Sequence, residues 1–373
     1  MRIVAFWFFA GAVASLAGEI PRPDIARRER PHRVVEAIAR LKLPERKERL
    51  RALETIQRFP EKAIPYLIKA ARSDDALFRA RVANALGLVG KGDRDAIWAL
   101  SVLLKDPDTT VRREAIAALA RAGDATRVAA IRPLLDDRQP AVRADAVRAI
   151  AALDPPNAAA NMKELLAHDD ARVRRTALAE LLRLKPDGLA ATVAPLLDDP
   201  DPGVRGDAAA ALPTLVGKAA VPRLLDLLDD RSPYVRSVAV AGLKRLGARE
   251  ATPRLLQLLD DEDEGVQCEV VSALGALHAT AAMRPLIGRL TSRSARIRER
   301  VAFALGLFRR EALAAVPGLI MLLDDKDEGV RQKADFALRL ILGGNAGYEA
   351  AAPREQRLEA IARWQALWRK AAR

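Results

Sequence analysis

The residues with which this chain could do chemistry are few: three histidines, one cysteine, and aspartates and arginines that recur at fixed intervals. His168-Asp169 is the pairing a metal-dependent phosphohydrolase uses, but the partner histidines such a site needs are missing. Cys268 has no histidine beside it to take its proton, so it reads as an ordinary helix residue. Lys218 follows Gly217 without the Gly-x-x-x-x-Gly-Lys-Ser/Thr frame that cradles phosphates. Asp106, Asp137, Asp199, Asp230, Asp261 and Asp325 each lie six residues before an arginine, or before Gln267 in one copy. A metal or acid-base array would be one use for them. A residue type present in copy after copy is better explained by the copies themselves: the aspartates cap a helix, and the arginines bridge to aspartates of the adjacent copy. The sequence calls for no catalytic residue, metal or cofactor.

The elements that position these residues follow from the period. An apolar residue followed by arginine recurs as Phe78-Arg79, Val111-Arg112, Val142-Arg143, Val173-Arg174, Val204-Arg205, Val235-Arg236, Ile297-Arg298 and Val330-Arg331, with Val266-Gln267 in the seventh copy. The spacing is 31 residues through the middle and 33 at each end. A repeat of this size is one supersecondary unit that cannot bury both faces alone and must stack. In the sixth copy, Leu224, Leu225, Leu227 and Leu228 recur at helical spacing, so 219–228 reads as a short helix A. Asp229 to Pro233 supply an acidic turn, and Val235, Ala239, Gly242, Leu243 and Leu246 line helix B up to a Gly247 cap. Small residues three after the arginine (Ala115, Ala146, Ala239) and large ones seven after it (Leu119, Ile150, Leu243) let neighbouring B helices interdigitate. Pro213 should kink helix B of the fifth copy.

The pattern Asp-Asp-x-x-x-x-Val-Arg-x-x-Ala-x-x-Ala-Leu-Gly-x-x-Gly resembles HEAT-like repeats, in particular the short type named after phycobilisome lyases. Asp75 to Gly90 and Asp261 to Leu277 carry it. The resemblance covers 61–343 and implies an all-α, right-handed α-solenoid of about nine two-helix repeats with helical caps. It also implies a wide choice of roles: scaffold, chaperone, lyase, a glycosylase type and a hydroxylase type. The hydroxylase type needs His-Glu pairs, and none of His32, His168 or His278 is in one.

Met1-Arg2 precedes an uncharged apolar run, Ile3 to Ala17, ending in Ser15-Leu16-Ala17, with small residues where a signal peptidase needs them. Residues 1–17 are expected to be a signal peptide, and a retained anchor is the alternative. Then 18–60 forms an N-terminal helical cap, 61–343 the solenoid and 344–373 a C-terminal capping helix. The expected location is periplasm, cell surface or medium, with no stable membrane span after cleavage. Net charge is +13. Residues 1–60 supply +6, 281–310 supply +7 and 346–373 supply +3, leaving the rest at −3. No basic stripe runs along the repeats, which argues against a nucleic-acid solenoid.

Helix B usually lines the inner face, and positions two, five and nine after the arginine should point there. They place Arg121, Arg148, Arg183 and Arg245 in a shallow mixed-charge groove, then Arg300, Phe303 and Phe336 near its end. The eighth turn is basic, Ser292-Arg293 among Arg289, Arg296, Arg298 and Arg300. It is either an anion patch or a partner for the acidic turns on both sides. The tail carries Leu358, Ile361, Trp364, Leu367 and Trp368 on one face of a helix over 353–370, which could cover the apolar end or dock a partner. The leading expectation is a non-catalytic scaffold that binds a protein or peptide. A lyase-like accessory with a bound chromophore, and nucleic-acid binding through 284–300, are the alternatives.

Overall fold

A computed structural model describes residues 25–123 and 125–371, with side chains from residue 33 onward. The expected signal peptide lies outside the described residues. Every regular element among them is a helix. Two helices come first, α1 (Ile25–Arg40) and α2 (Arg46–Arg58). Then A and B helices alternate: α3 (Pro60–Ala70) with α4 (Ala76–Val89), α5 (Arg94–Leu103) with α6 (Thr109–Ala122), α7 (Val128–Ile131) with α8 (Pro140–Leu153), and α9 (Ala158–Leu165) with α10 (Ala171–Leu184). They continue as α11 (Leu189–Val193) with α12 (Pro202–Leu215), α13 (Val221–Asp226) with α14 (Pro233–Leu246), α15 (Thr252–Gln257) with α16 (Glu264–Ala276), α17 (Met283–Gly288) with α18 (Ala295–Leu307), and α19 (Val316–Leu322) with α20 (Glu328–Leu342). The last element is α21 (Arg354–Ala371).

The chain forms two compact units, one up to Glu180 and one from Leu181. In the first, α4 packs on α6 and α6 on α8; in the second, α12, α14, α16, α18 and α20 pack in succession. The B helices can approach because their contact positions carry little side chain. A Cβ on Gly87 would lie 2.6 Å from Ala118, and one on Gly306 would lie 2.9 Å from Ala337, so only glycine fits these crossings. Val111, Ala115 and Leu119 are fully buried, as are Val235, Ala239 and Leu243. The alternation of small and large apolar residues is what fills the space between layers.

Three local features differ from expectation. The sixth helix A is not one helix over 219–228. It divides into a 3-10 turn (Gly217–Ala220), α13 and a second 3-10 turn (Leu227–Asp229). The tighter turn lowers the chain into the acidic loop with its carbonyls still bonded. Pro213 falls in the final turn of α12, which runs on to Leu215, so few backbone bonds remain beyond it to lose. The tail helix begins at Arg354, one residue later than expected. Helix B ends in a left-handed residue at Gly123, Gly247 and Gly343, as a Cβ-free cap allows, but also at Lys185, His278 and Arg309.

Candidate functional site

The recurrent aspartates and arginines meet in a ladder of ion pairs along the turns. Arg112 is almost fully buried, and its Nε and Nη2 donate to the two carboxylate oxygens of Asp137 at 2.7 and 2.9 Å. Its Nη1 turns back to the carbonyls of Asp106 and Pro107 at 2.9 and 3.1 Å. The same fork joins Arg79 to Asp106, Arg205 to Asp230, Arg236 to Asp261 and Arg298 to Asp325. Burial alone would push these carboxyls up, but the guanidinium, a backbone N–H and the nearby positive charge hold Asp106, Asp137, Asp230 and Asp325 below the usual carboxylate range. Acids held in this state are poor proton donors and have no free oxygens for a metal. Among the described residues no cluster could hold a metal ion.

The capping role belongs to a different residue from the one expected. The aspartate six before the arginine accepts the backbone N–H two residues on, as Asp230 does from Ser232 at 2.8 Å, and so shapes the turn. The helix cap is four before the arginine: Asp75, Asp108, Asp201, Asp263, Asp327 and Ser294 accept N–H groups of the first turn. The first residue's oxygens are taken by the fork and by the N–H of the turn, and the cap falls to the second.

His168 occupies the turn position of an aspartate, and this is its role rather than a metal dyad. Its Nδ1 accepts the N–H of Asp170 at 3.0 Å, which puts the ring proton on Nε2, 3.4 Å from Asp136. Arg143 must then reach past it to Asp170 through Nη2 at 2.8 Å, and its buried Nε has no hydrogen-bond partner. Cys268 is buried, and burial pushes its thiol up, away from nucleophilic use at neutral pH.

In the first unit Arg148 lies beside Asp145, which also receives Arg113 Nε at 2.6 Å, and these three line a shallow cleft of 420 Å³ between α6 and α8. Arg121 is exposed in the last turn of α6, its guanidinium over Gly87. In the second unit Arg183 is exposed near the end of α10, and Arg245 donates to the Ala210 carbonyl at 3.0 Å. Phe303 and Phe336 stack with centroids 5.6 Å apart and an angle of 13°, both more than a third exposed. Arg300 is exposed one turn before Phe303.

The basic turn divides. Arg289 reaches Asp260 of the preceding acidic turn, and Arg298 takes Asp325 of the following one. Arg293, Arg296 and Arg300 make no ion pair with any described residue.

The tail packs on α19 and α20 and leaves the Phe303–Phe336 pair open, so it is not the cover the sequence suggested for that pair. Trp364 is fully buried and donates Nε1–H to Asp335 at 3.0 Å. Burial raises the Asp335 carboxyl even though Trp364 and Arg339 both favour its charge. Where no further copy exists to offer an aspartate, Arg331 Nε donates to the Ala350 carbonyl at 2.8 Å, so the segment before α21 completes the ladder. Sequence reasoning missed this because a backbone carbonyl has no residue type to recognise.

No helix among the described residues is long and apolar enough to cross a membrane. The family pattern described as HEAT repeats matches residues 98–183, 162–244 and 221–305. No curated protein matches the sequence. Among solved structures, the chain is similar to Kap95p in its complex with RanGDP (TM-score 0.57, 12% identity, 90% of this chain and 56% of that one). It is also similar to Kap121p bound to Nup53p (TM-score 0.55, 16% identity, 89% and 42%) and to importin beta (TM-score 0.51, 13% identity, 90% and 61%). The chain thus spans less than two thirds of each of these proteins, and at such identity the likeness establishes the fold, an α-solenoid.

Proposed function

The chain belongs to the HEAT-repeat family, and from that premise we propose that it is a non-catalytic scaffold that binds a protein or peptide on its helix-B surface. One observation carries the reading. The charges of the ladder are used up in stacking, while the B helices also carry exposed arginines and aromatics outside the ladder. These are Arg121 and Arg148 in the first unit, and Arg183, Arg245, Arg300, Phe303 and Phe336 in the second. Arginine and stacked aromatics are the side chains that anchor protein interfaces. Kap95p with RanGDP and Kap121p with Nup53p are solenoids of this fold in complexes with proteins, which supports the same use here.

The place of action in this proposal is outside the cytoplasm. Its support is the uncharged run Ile3 to Ala17 behind Arg2. Amino-terminal sequencing of protein from fractionated cells should find a chain beginning at Gly18 in the envelope or medium; a chain that keeps Met1 in the cytoplasm contradicts it. For the scaffold itself, the protein from residue 18 onward is immobilised and challenged with envelope and culture fractions. A partner that is retained, and released when Arg148, Arg245 and Arg300 are changed to glutamate, is the expected result. Retention of a coloured ligand alone would favour a lyase-like accessory, and salt-sensitive retention of nucleic acid lost with Arg293→Glu and Arg296→Glu would favour the basic turn instead.

A further inference from the structure

The N-terminal end of the first unit holds a small cavity that stacking does not explain. It measures 280 Å³, with a floor of Leu50, Leu53 and Leu77 and a rim of Arg46, Arg49 and Arg81. Leu50 and Leu77 are 50% and 55% exposed, large values for leucines side by side. None of the three guanidiniums makes an ion pair with a described residue. Arg49 Nη1 donates to the Leu43 carbonyl at 3.0 Å and to that of Pro44. Arg81 Nη1 donates to the carbonyls of Leu41 and Leu43 at 2.6 and 3.1 Å. The two arginines therefore share one acceptor at the carboxyl end of α1, where the helix dipole favours positive charge. That contact uses one nitrogen of each, and both arginines line the cavity together with Arg46. Burial and the adjacent Arg49 push the Arg81 pKa down, against a smaller upward pull from Asp75. Glu114, also lining the cavity, accepts from Asn84 at 3.3 Å on one oxygen and keeps its charge, so three arginines there face one carboxylate. Arg113 and Arg148, elsewhere in this unit, share the Asp145 carboxylate.

We propose that this cavity is an anchor site for an acidic peptide segment of a partner, taking one large apolar side chain on the leucine floor and flanking carboxylates on Arg46, Arg49 and Arg81. The proposal rests on the scaffold reading above and gives it a ligand chemistry. At 280 Å³ the cleft lies at the lower limit of ligand pockets, about 300–1,000 Å³, a size that suits a side chain presented by a peptide. Charge selects the sign: a forked guanidinium pairs with carboxylate, and three at one rim repel a basic segment.

The probe is a fluorescein-labelled acidic peptide with one central phenylalanine between glutamates, titrated with the full chain from residue 18 and followed by anisotropy. Saturable binding is expected. Arg46→Glu and Leu77→Asp, both at exposed positions whose side chains make no hydrogen bond to a described residue, should each weaken it about tenfold or more while leaving the circular dichroism unchanged. A peptide with alanine for phenylalanine, or lysines for glutamates, should not bind. Absence of binding, or binding indifferent to both variants, overturns the anchor site. Equal binding of the alanine peptide overturns it too, since that reports general attraction to positive charge. Binding lost only with Arg148→Glu or Arg300→Glu overturns the anchor site while leaving the scaffold reading in place.

Discussion

Arg205 and Arg143 occupy the same slot in the two units, yet the residue each faces in the next copy differs. Arg205 faces Asp230 and satisfies Nε and Nη2 on it at 2.7 Å each. Arg143 faces His168, goes around it to Asp170, and leaves Nε unpartnered. A neutral imidazole can make the turn, since its Nδ1 accepts the same backbone N–H as an aspartate oxygen would. It cannot accept a two-pronged guanidinium. The turn and the rung are therefore separable functions of one position, and the fold tolerates loss of the second.

That comparison is most severely tested by Asp230→Ala, which strands a buried guanidinium. It should cost about 3–5 kcal/mol, read as a lower denaturation midpoint, with the loss centred on the second unit in hydrogen exchange. A cost below about 1 kcal/mol would mean that the rungs are ornaments of the stack rather than part of its stability. Acid should act on the rungs next. Asp106, Asp137, Asp230 and Asp325 have folded pKa values below their unfolded ones, so their contribution is full above about pH 4 and is lost as pH falls through the folded values. Asp335 has the opposite sign: its pKa is raised, and acid relieves the strain of keeping it charged. Hydrogen exchange below pH 4 should therefore loosen the turns before it releases the tail helix at Trp364.

His168→Asp should repair the weak rung and raise stability by about 1 kcal/mol, the worth of a charged hydrogen bond less repulsion from Asp136 and Asp169. Arg143→Lys in the same background should remove the gain, because lysine has no fork. The smallest effect is expected outside the ladder. Lys185 has a φ of 51°, where Gly123 and Gly247 sit in their own copies. Lys185→Gly should stabilise by about 0.5–1 kcal/mol in thermal unfolding.

The fold was legible because the period is written in residue types: Arg112, Ala115 and Leu119 have counterparts a fixed distance on, and each has one packing duty. The pairing of arginine with the next copy's aspartate was legible for the same reason. Which aspartate caps the helix was not, since Asp106 and Asp108 differ only in which neighbours they meet in space. The C-terminal end misled because Phe303 and Trp364 are both apolar signals, and hydropathy does not tell which face of α20 each one meets. The arginine-rimmed cavity was invisible from the repeats because Arg46 and Arg49 belong to α2, which precedes the periodic pattern and has no copy to compare.

The central claim is that this solenoid binds a partner on its helix-B surface. Hydrogen–deuterium exchange on the captured complex tests it most directly. The account predicts new protection on the B helices, in peptides that carry Arg121, Arg148, Arg245, Phe303 and Phe336. Protection confined to the A helices, at exposed Trp98, Val102 and Met321, would contradict it.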